Sequence, residues 1–174
     1  MGDLARVAEV PAAEFTALVA PADGRAAAVL LLFWEDERGR QVLLIERSAG
    51  LRSHAGQPAF PGGAQDPGDD GAVGAALREA AEEVGLDPAG VVVVATLPEL
   101  WVPVSGFVVT PVLAWWTRPV PLAPVDPAEV AAVHPVAVED LLDPANRLRV
   151  VHPPSGRTSP AFRVAGMLLS LIHI

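Results

Sequence analysis

Three glutamates within five residues, Glu79, Glu82 and Glu83, form the densest group of chemically capable side chains in this sequence. On a helix, Glu79 meets Glu82 at i,i+3 and Glu83 at i,i+4, so the carboxylates project from neighbouring positions. Like charges at that spacing repel by roughly a few tenths of a kcal/mol per pair, and a bound cation reverses the sign. Clustered carboxylates suit a hard, oxygen-seeking ion, Mg²⁺ or Mn²⁺, that keeps water and substrate phosphate among its ligands. Arg78 stands four residues before Glu82, at the spacing of an orienting ion pair. Taken alone, the same cluster reads as the solvated acidic face of a surface helix.

The residues in front of the cluster change that balance. Phe60-Pro61-Gly62-Gly63 leads toward it, with Asp66, Asp69 and Asp70 between. Two adjacent glycines let the backbone approach a ligand closely and present an open carbonyl or amide. An acidic loop folded onto an acidic helix repels itself unless cations lie between. Further upstream stand Arg47 and Arg52, whose guanidinium forks match phosphate oxygens as well as they match a surface carboxylate. His54 and Gln57 sit in the same stretch, where a structural hydrogen bond is the plainer role and a phosphate contact the sharper one. Phe60 reads as a core anchor for the loop. Glu129 reads as a solvated loop residue, although an extra ligand or base is its other role. Trp101, in a loop, is open to stacking on a base, while Trp115 and Trp116 pack. His134 and His152 have no partner at metal-ligand spacing.

Several elements must hold these groups. Val73 to Val84 is rich in Ala, Leu and Glu and stops at Gly85, with Asp87-Pro88 behind it, which predicts a helix. Ala12 to Ala20 predicts a short helix. Ala26 to Glu35 and Gln41 to Glu46 predict two strands joined by the polar turn Asp36 to Arg40. Val91 to Leu97 and Phe107 to Trp116 are strands by β-branched content. Glu129 to Val138 predicts a weaker strand broken by Pro135, Val138 to Leu142 a helical turn, and Arg147 to His152 a short strand. Arg47 to Ala72 is loop-like. Irregular alternation of strands and helices favours a mixed sheet flanked by helices, an α/β fold.

The 174 residues fit one domain, 1–174, with no internal repeat. The last six, Leu169 to Ile174, end abruptly on apolar residues, either as a buried terminal strand or as a truncated or non-native end. Apolar residues make up 51% of the chain, but the run from Ala26 to Trp34 is far too short to span a bilayer. No membrane span and no signal peptide are expected. Cysteine is absent, which excludes disulfides, thiolate catalysis and cysteine zinc sites and fits a cytoplasmic location. A formal charge of −9 argues against nucleic acid as a partner. All twelve basic side chains of the Lys+Arg class are arginine, so no phosphate-cradling lysine motif exists, and no serine lies in a nucleophile elbow.

The segment from Gly63 to Leu86 resembles the Nudix box: a Gly, five residues, a Glu, seven residues, then Arg-Glu, an apolar residue, any residue, Glu-Glu, any residue, Gly and an apolar residue. Arg78 to Leu86 matches throughout if Ala80 counts as apolar. Upstream, the acidic position after five residues is Asp69, and eight residues follow before Arg78. Asp70 restores the second interval and spoils the first, so either aspartate can fill the position. Leu43 to Ser48, Leu51 to Gln57 and Phe60 to Gly63 resemble the pattern of the coenzyme A pyrophosphatase branch of that family. The likeness runs from Val42 to Leu86 and more weakly through Leu97 to Leu100 and Ser105 to Pro111.

The resemblance implies the Nudix fold, an α/β/α sandwich around a mixed sheet, with Gly62 to Leu86 as a catalytic loop-helix-loop. It implies a metal-dependent hydrolase of a pyrophosphate linkage. Glu79, Glu82 and Glu83 would hold Mg²⁺ or Mn²⁺, Arg78 would serve the catalytic set, and Arg47, Arg52, His54, Gln57, Gly62 and Gly63 would bind substrate. The small-molecule partner would be a nucleotide, coenzyme A or acyl-coenzyme A. Another nucleoside diphosphate derivative, such as an ADP-sugar or a dinucleotide, is the alternative within the family. A silent nucleotide-binding domain is the alternative outside catalysis, and the intact glutamates argue against it. Oligomeric state stays open, a homodimer being one arrangement.

Overall fold

The computed structural model describes residues 24–51, 54–103, 105–152 and 157–170. The expected helix over Ala12 to Ala20, residue Arg52 and the last four residues lie outside that set. β1 (Arg25–Asp36) and β2 (Gly39–Arg47) form the expected hairpin, pairing antiparallel from Phe33↔Val42 to Asp36↔Gly39. Beyond Phe33 the two strands stop pairing with each other. The chain from 58 to 64 runs between them: β3 (Pro58–Ala59) pairs with β2 and β4 (Gly62–Ala64) with β1. The sequence reads this stretch as loop because proline and glycine carry no strand pattern. Its pairing is made by backbone, including Leu30 N–H donating to Pro61 O at 2.8 Å.

β7 (Phe107–Trp116) lies parallel to β1 and is flanked on its other side by β5 (Val91–Thr96) and β6 (Leu100–Val102). β8 (Val130–Ala137) pairs with the outer edge of β2. The expected break at Pro135 does not occur. Among the described strands β8 pairs only with β2, and an edge strand tolerates a residue without an N–H. Trp101 belongs to β6, opposite Val108, and not to a loop.

Both faces of the sheet are covered, so its strands are apolar on both sides. Ala28, Leu30, Leu32 and Trp34 of β1, with Leu43 and Ile45 of β2, face α1 (Gly71–Val84). The helix meets them through Ala75, Ala76, Ala80 and Val84. These small side chains let it lie close to the sheet. On the other face, Val42, Leu44 and Val136 pack against Leu141 of α2 (Val138–Leu142) and against Val164 and Leu169. The last two belong to a smaller sheet of β9 (Arg147–His152), β10 (Arg157–Val164) and β11 (Met167–Ser170). The β10–β11 turn uses Ala165 and Gly166, both at positive φ. A mixed sheet with few helices is the α/β class the sequence predicts. No helix among the described residues is long and apolar enough to cross a membrane.

Candidate active site

The α1 helix ends at Gly85, whose left-handed backbone (φ 72°) closes the last turn onto the carbonyls of Ala80 and Ala81. Its sheet-facing alanines fix the rotation of the helix, and that rotation points Glu79 and Glu83 at the β4 strand wedged between β1 and β2. Gly62 N–H donates to Glu83 Oε2 at 3.0 Å. A Cβ on Gly63 would lie 2.5 Å from Glu79 Oε1. The glycine pair and two of the three glutamates therefore form one packed unit.

Glu83 is a buried carboxylate, its side chain only 8% exposed. Burial is the main force pushing its carboxyl up to about 7, and the negative charges of Glu79 and Glu129 add to it. The Gly62 hydrogen bond and the positive charge of Arg47 oppose the rise. Arg47 Nη1 stands 4.0 Å from Glu83 Oε1, and its Nε is buried with no hydrogen-bond partner. Glu79 is also raised, first by burial and then by Glu82 and Asp66, against the pull of Arg78.

Arg78 is the hub of the outer half. Its Nε and Nη2 grip the two oxygens of Asp69 at 2.9 and 3.1 Å. Nη1 donates to Glu79 Oε1 and Glu82 Oε2, both at 3.0 Å, and Nη2 also reaches Ala64 O at 3.0 Å. A guanidinium has five N–H donors, and these contacts engage all of them. Asp69 is in turn held by the Asp66 N–H at 2.8 Å. Asp70 instead takes the N-cap position of α1, without a side-chain cap bond. The aspartate that meets the box arginine is thus Asp69.

The segment carrying the other predicted residues folds back on Arg47. Arg47 N–H donates to Gln57 O, and Gly56 N–H donates to Arg47 O, both at 3.0 Å. His54 Nδ1 and Gln57 Oε1 lie 2.9 Å apart, within hydrogen-bond distance. His54 adopts a left-handed backbone, φ 56°. Glu129 is nearer to the site than its sequence context indicates. Val125 N–H donates to Glu83 O at 3.0 Å and Ser48 N–H to Glu129 O at 2.8 Å, which ties the 125–129 loop to both α1 and the end of β2. No local pattern signals that approach. His134 pairs with Glu46 at 3.2 Å and stands apart from these groups in sequence and hydrogen bonding.

The three glutamates are not gathered as a finished cage. Among the described residues no three His, Asp or Glu side chains converge at metal-binding spacing. Glu82, 61% exposed, faces Arg78. The donor set nevertheless fits a hard divalent cation: all donors are oxygen, and Glu79 and Glu83 carry raised carboxyls beside like charges. A cation relieves both the burial and the repulsion.

Residues 24–155 match the sequence profile of the NUDIX domain. The chain belongs to the Nudix family. It is 56% identical over 72 residues to a Citrobacter koseri protein named "Uncharacterized Nudix hydrolase NudL", covering 41% of this chain and 37% of that one. It is 45% identical over 112 residues to the Cronobacter sakazakii protein of the same name, covering 64% and 55%. The chain thus matches only about a third to a half of the length of these relatives. The crystal structure of the Nudix hydrolase RenU from M. smegmatis aligns with a TM-score of 0.53 at 29% identity, covering 68% of this chain and 74% of that one.

Proposed function

We propose that this Nudix chain hydrolyses the pyrophosphate linkage of a nucleoside diphosphate derivative, with coenzyme A or acyl-coenzyme A as substrate. One observation carries the reading: Glu79, Glu83, Arg47 and the Gly62–Gly63 backbone meet at a single point. Carboxylates beside an arginine and open glycine backbone are what a metal-bridged pyrophosphate needs. The coenzyme A assignment draws support from the His54–Gln57 segment, whose residues resemble the pattern of that branch and whose backbone is bonded to Arg47.

Glu79, Glu82 and Glu83, with a Gly62 or Gly63 carbonyl, would hold Mg²⁺ or Mn²⁺. Such an ion, when bound, neutralises charge developing on the phosphates and acidifies a bound water. Arg47, a partly exposed guanidinium beside Glu83 whose fork matches phosphate oxygens, orients the substrate. Arg52, His54 and Gln57 belong to the same substrate-binding set. Glu79 accepts the proton of the attacking water, and Arg78 keeps Glu79 and Glu82 in place. Water adds to one phosphorus, the bond to the bridging oxygen breaks, and the products are 3′,5′-adenosine bisphosphate and 4′-phosphopantetheine. Glu129, brought to the site by its loop, adds negative charge that a cation offsets.

A hydrolysis panel of coenzyme A, ADP-ribose, ADP-glucose and a diadenosine polyphosphate, each with Mg²⁺ and with Mn²⁺, tests this. Release of the two named products from coenzyme A is expected. Turnover of the other compounds without coenzyme A assigns a different Nudix substrate, and no turnover of any overturns the enzymatic reading.

A further inference from the structure

Arg47 stands where the regular ladder of β2 fails. Glu46 pairs with Ala132 of β8 and Arg47 with Val130, so β8 carries an extra residue, Ala131, between them. A bulge of this kind interrupts the ladder and raises the local twist. The pleat of β2 alone therefore does not set the direction of the Arg47 side chain. On the other edge of β2 a turn takes the place of a strand. Arg47 N–H donates to Gln57 O and Gly56 N–H donates to Arg47 O, both at 3.0 Å. Both polar backbone groups of Arg47 thus meet the turn over residues 54–57.

That turn is built on His54. Its left-handed backbone, φ 56°, costs a residue with a Cβ about 1 kcal/mol. A glycine takes the same conformation without that cost. Two contacts hold His54 there. Gln57 N–H donates to His54 O at 3.2 Å, and His54 Nδ1 lies 2.9 Å from Gln57 Oε1. The ring contact spans the same residues as the backbone bond and ends on Gln57, whose carbonyl receives the Arg47 N–H. Strain of this kind persists only where the surroundings hold it, and it gathers at ligand sites. What this turn holds is Arg47, whose Nη1 stands 4.0 Å from Glu83 Oε1.

We infer that His54 is a positioning residue: the His54–Gln57 contact locks the turn that fixes Arg47 beside Glu83. The inference rests on the hydrolase reading above, in which Arg47 orients the substrate. His54 and Gln57 serve phosphate binding through Arg47, with no contact to the substrate of their own. A lysine at position 47 has already lost the fork that the turn aims, so removing the ring as well costs nothing further.

A double-mutant cycle tests this. KM for coenzyme A with Mg²⁺, or for the panel compound turned over in its place, is measured for the unaltered chain, His54→Ala, Arg47→Lys and the double variant. His54→Ala should raise KM about fivefold and Arg47→Lys about tenfold. The double variant should stay near about tenfold, where independent contacts multiply to about fiftyfold. His54→Asn should restore most of the loss, because Asn enters the left-handed region readily and keeps a polar side chain for Gln57. Should His54→Ala fail to fold, His54→Gly, free of the backbone strain, completes the same cycle. A double variant raised about fiftyfold shows a direct substrate contact by His54 and overturns the inference. An unchanged KM in His54→Ala overturns it too, and both results leave the hydrolase reading intact. No turnover by the unaltered chain overturns both.

Discussion

The carboxylate of Glu79 fills the space in which Gly63 would carry a side chain, its Oε1 lying 2.5 Å from that would-be Cβ. Gly63→Ala forces the two apart. The obstacle is the far end of a flexible side chain, so Glu79 swings aside and the fold persists. Hydrolysis should fall by about a hundredfold, the loss expected when the proposed base is misplaced by about an ångström. The melting temperature should hardly move. Gly62→Ala differs, because its Cβ would meet the backbone of Ala28 and Val29. That variant should lose stability by several kcal/mol, on the order of 3. Thermal melts alongside kinetics separate the two, and a strongly destabilised Gly63→Ala would contradict this division.

That contrast also marks what a sequence can and cannot convey. β1 and β2 are legible because apolar residues recur on both faces, and α1 because Ala, Leu and Glu end at a glycine. β3 and β4 are not, since Pro58, Gly62 and Gly63 enter the sheet through backbone alone. The neighbouring glutamates of α1 follow from helical spacing, yet their unequal fates do not. Rotation of the helix buries Glu83 and leaves Glu82 exposed. Glu129 approaches through a loop whose anchors, Glu83 O and Ser48 N–H, are distant in sequence.

Asp69 and Asp70 are neighbours with different duties. Asp69 engages Arg78 through two oxygens, which lowers its carboxyl below the usual range, whereas Asp70 makes no side-chain cap bond. Asp69→Asn should weaken the grip on Arg78, and through it the placement of Glu79 and Glu82. The expected loss is about tenfold in kcat with KM little changed, as for a group that acts only in the transition state. Asp70→Asn should leave both constants near normal. Steady-state kinetics on the pair decide it: a larger loss in the Asp70 variant would reassign the position.

Glu83 makes the metal-free protein sensitive to pH. Its carboxyl ionises at about 7 in the folded chain, against an ordinary 4.5. Between these values the folded state keeps a proton that the unfolded state has lost, so stability falls as pH rises. With chelator present, the loss from below pH 4.5 to above pH 7 should be on the order of 3 kcal/mol. Glu83→Gln removes the titration, so its melts in EDTA should show a shallower fall across the same window. Equal slopes for the two proteins would rule out this buried carboxylate as the cause. Mg²⁺ added at pH 8 should restore stability to the unaltered chain more than to the variant.

Arg47 has a buried Nε without a partner and an Nη1 held only loosely, 4.0 Å from Glu83. An arginine serving only its ion pair with Glu83 would spend its fork on that carboxylate. The side chain is 32% exposed, and a guanidinium fork suits phosphate oxygens, which Arg meets at two points and Lys at one. Arg47→Lys keeps the positive charge beside Glu83 and removes the fork. The expected outcome is a KM raised about tenfold for the turned-over substrate, equivalent to about 1.4 kcal/mol, with a smaller change in kcat. The melting profile in EDTA should stay close to that of the unaltered chain, because the charge opposing the Glu83 proton remains. An unchanged KM with a shifted melting profile would show instead that Arg47 serves Glu83 alone.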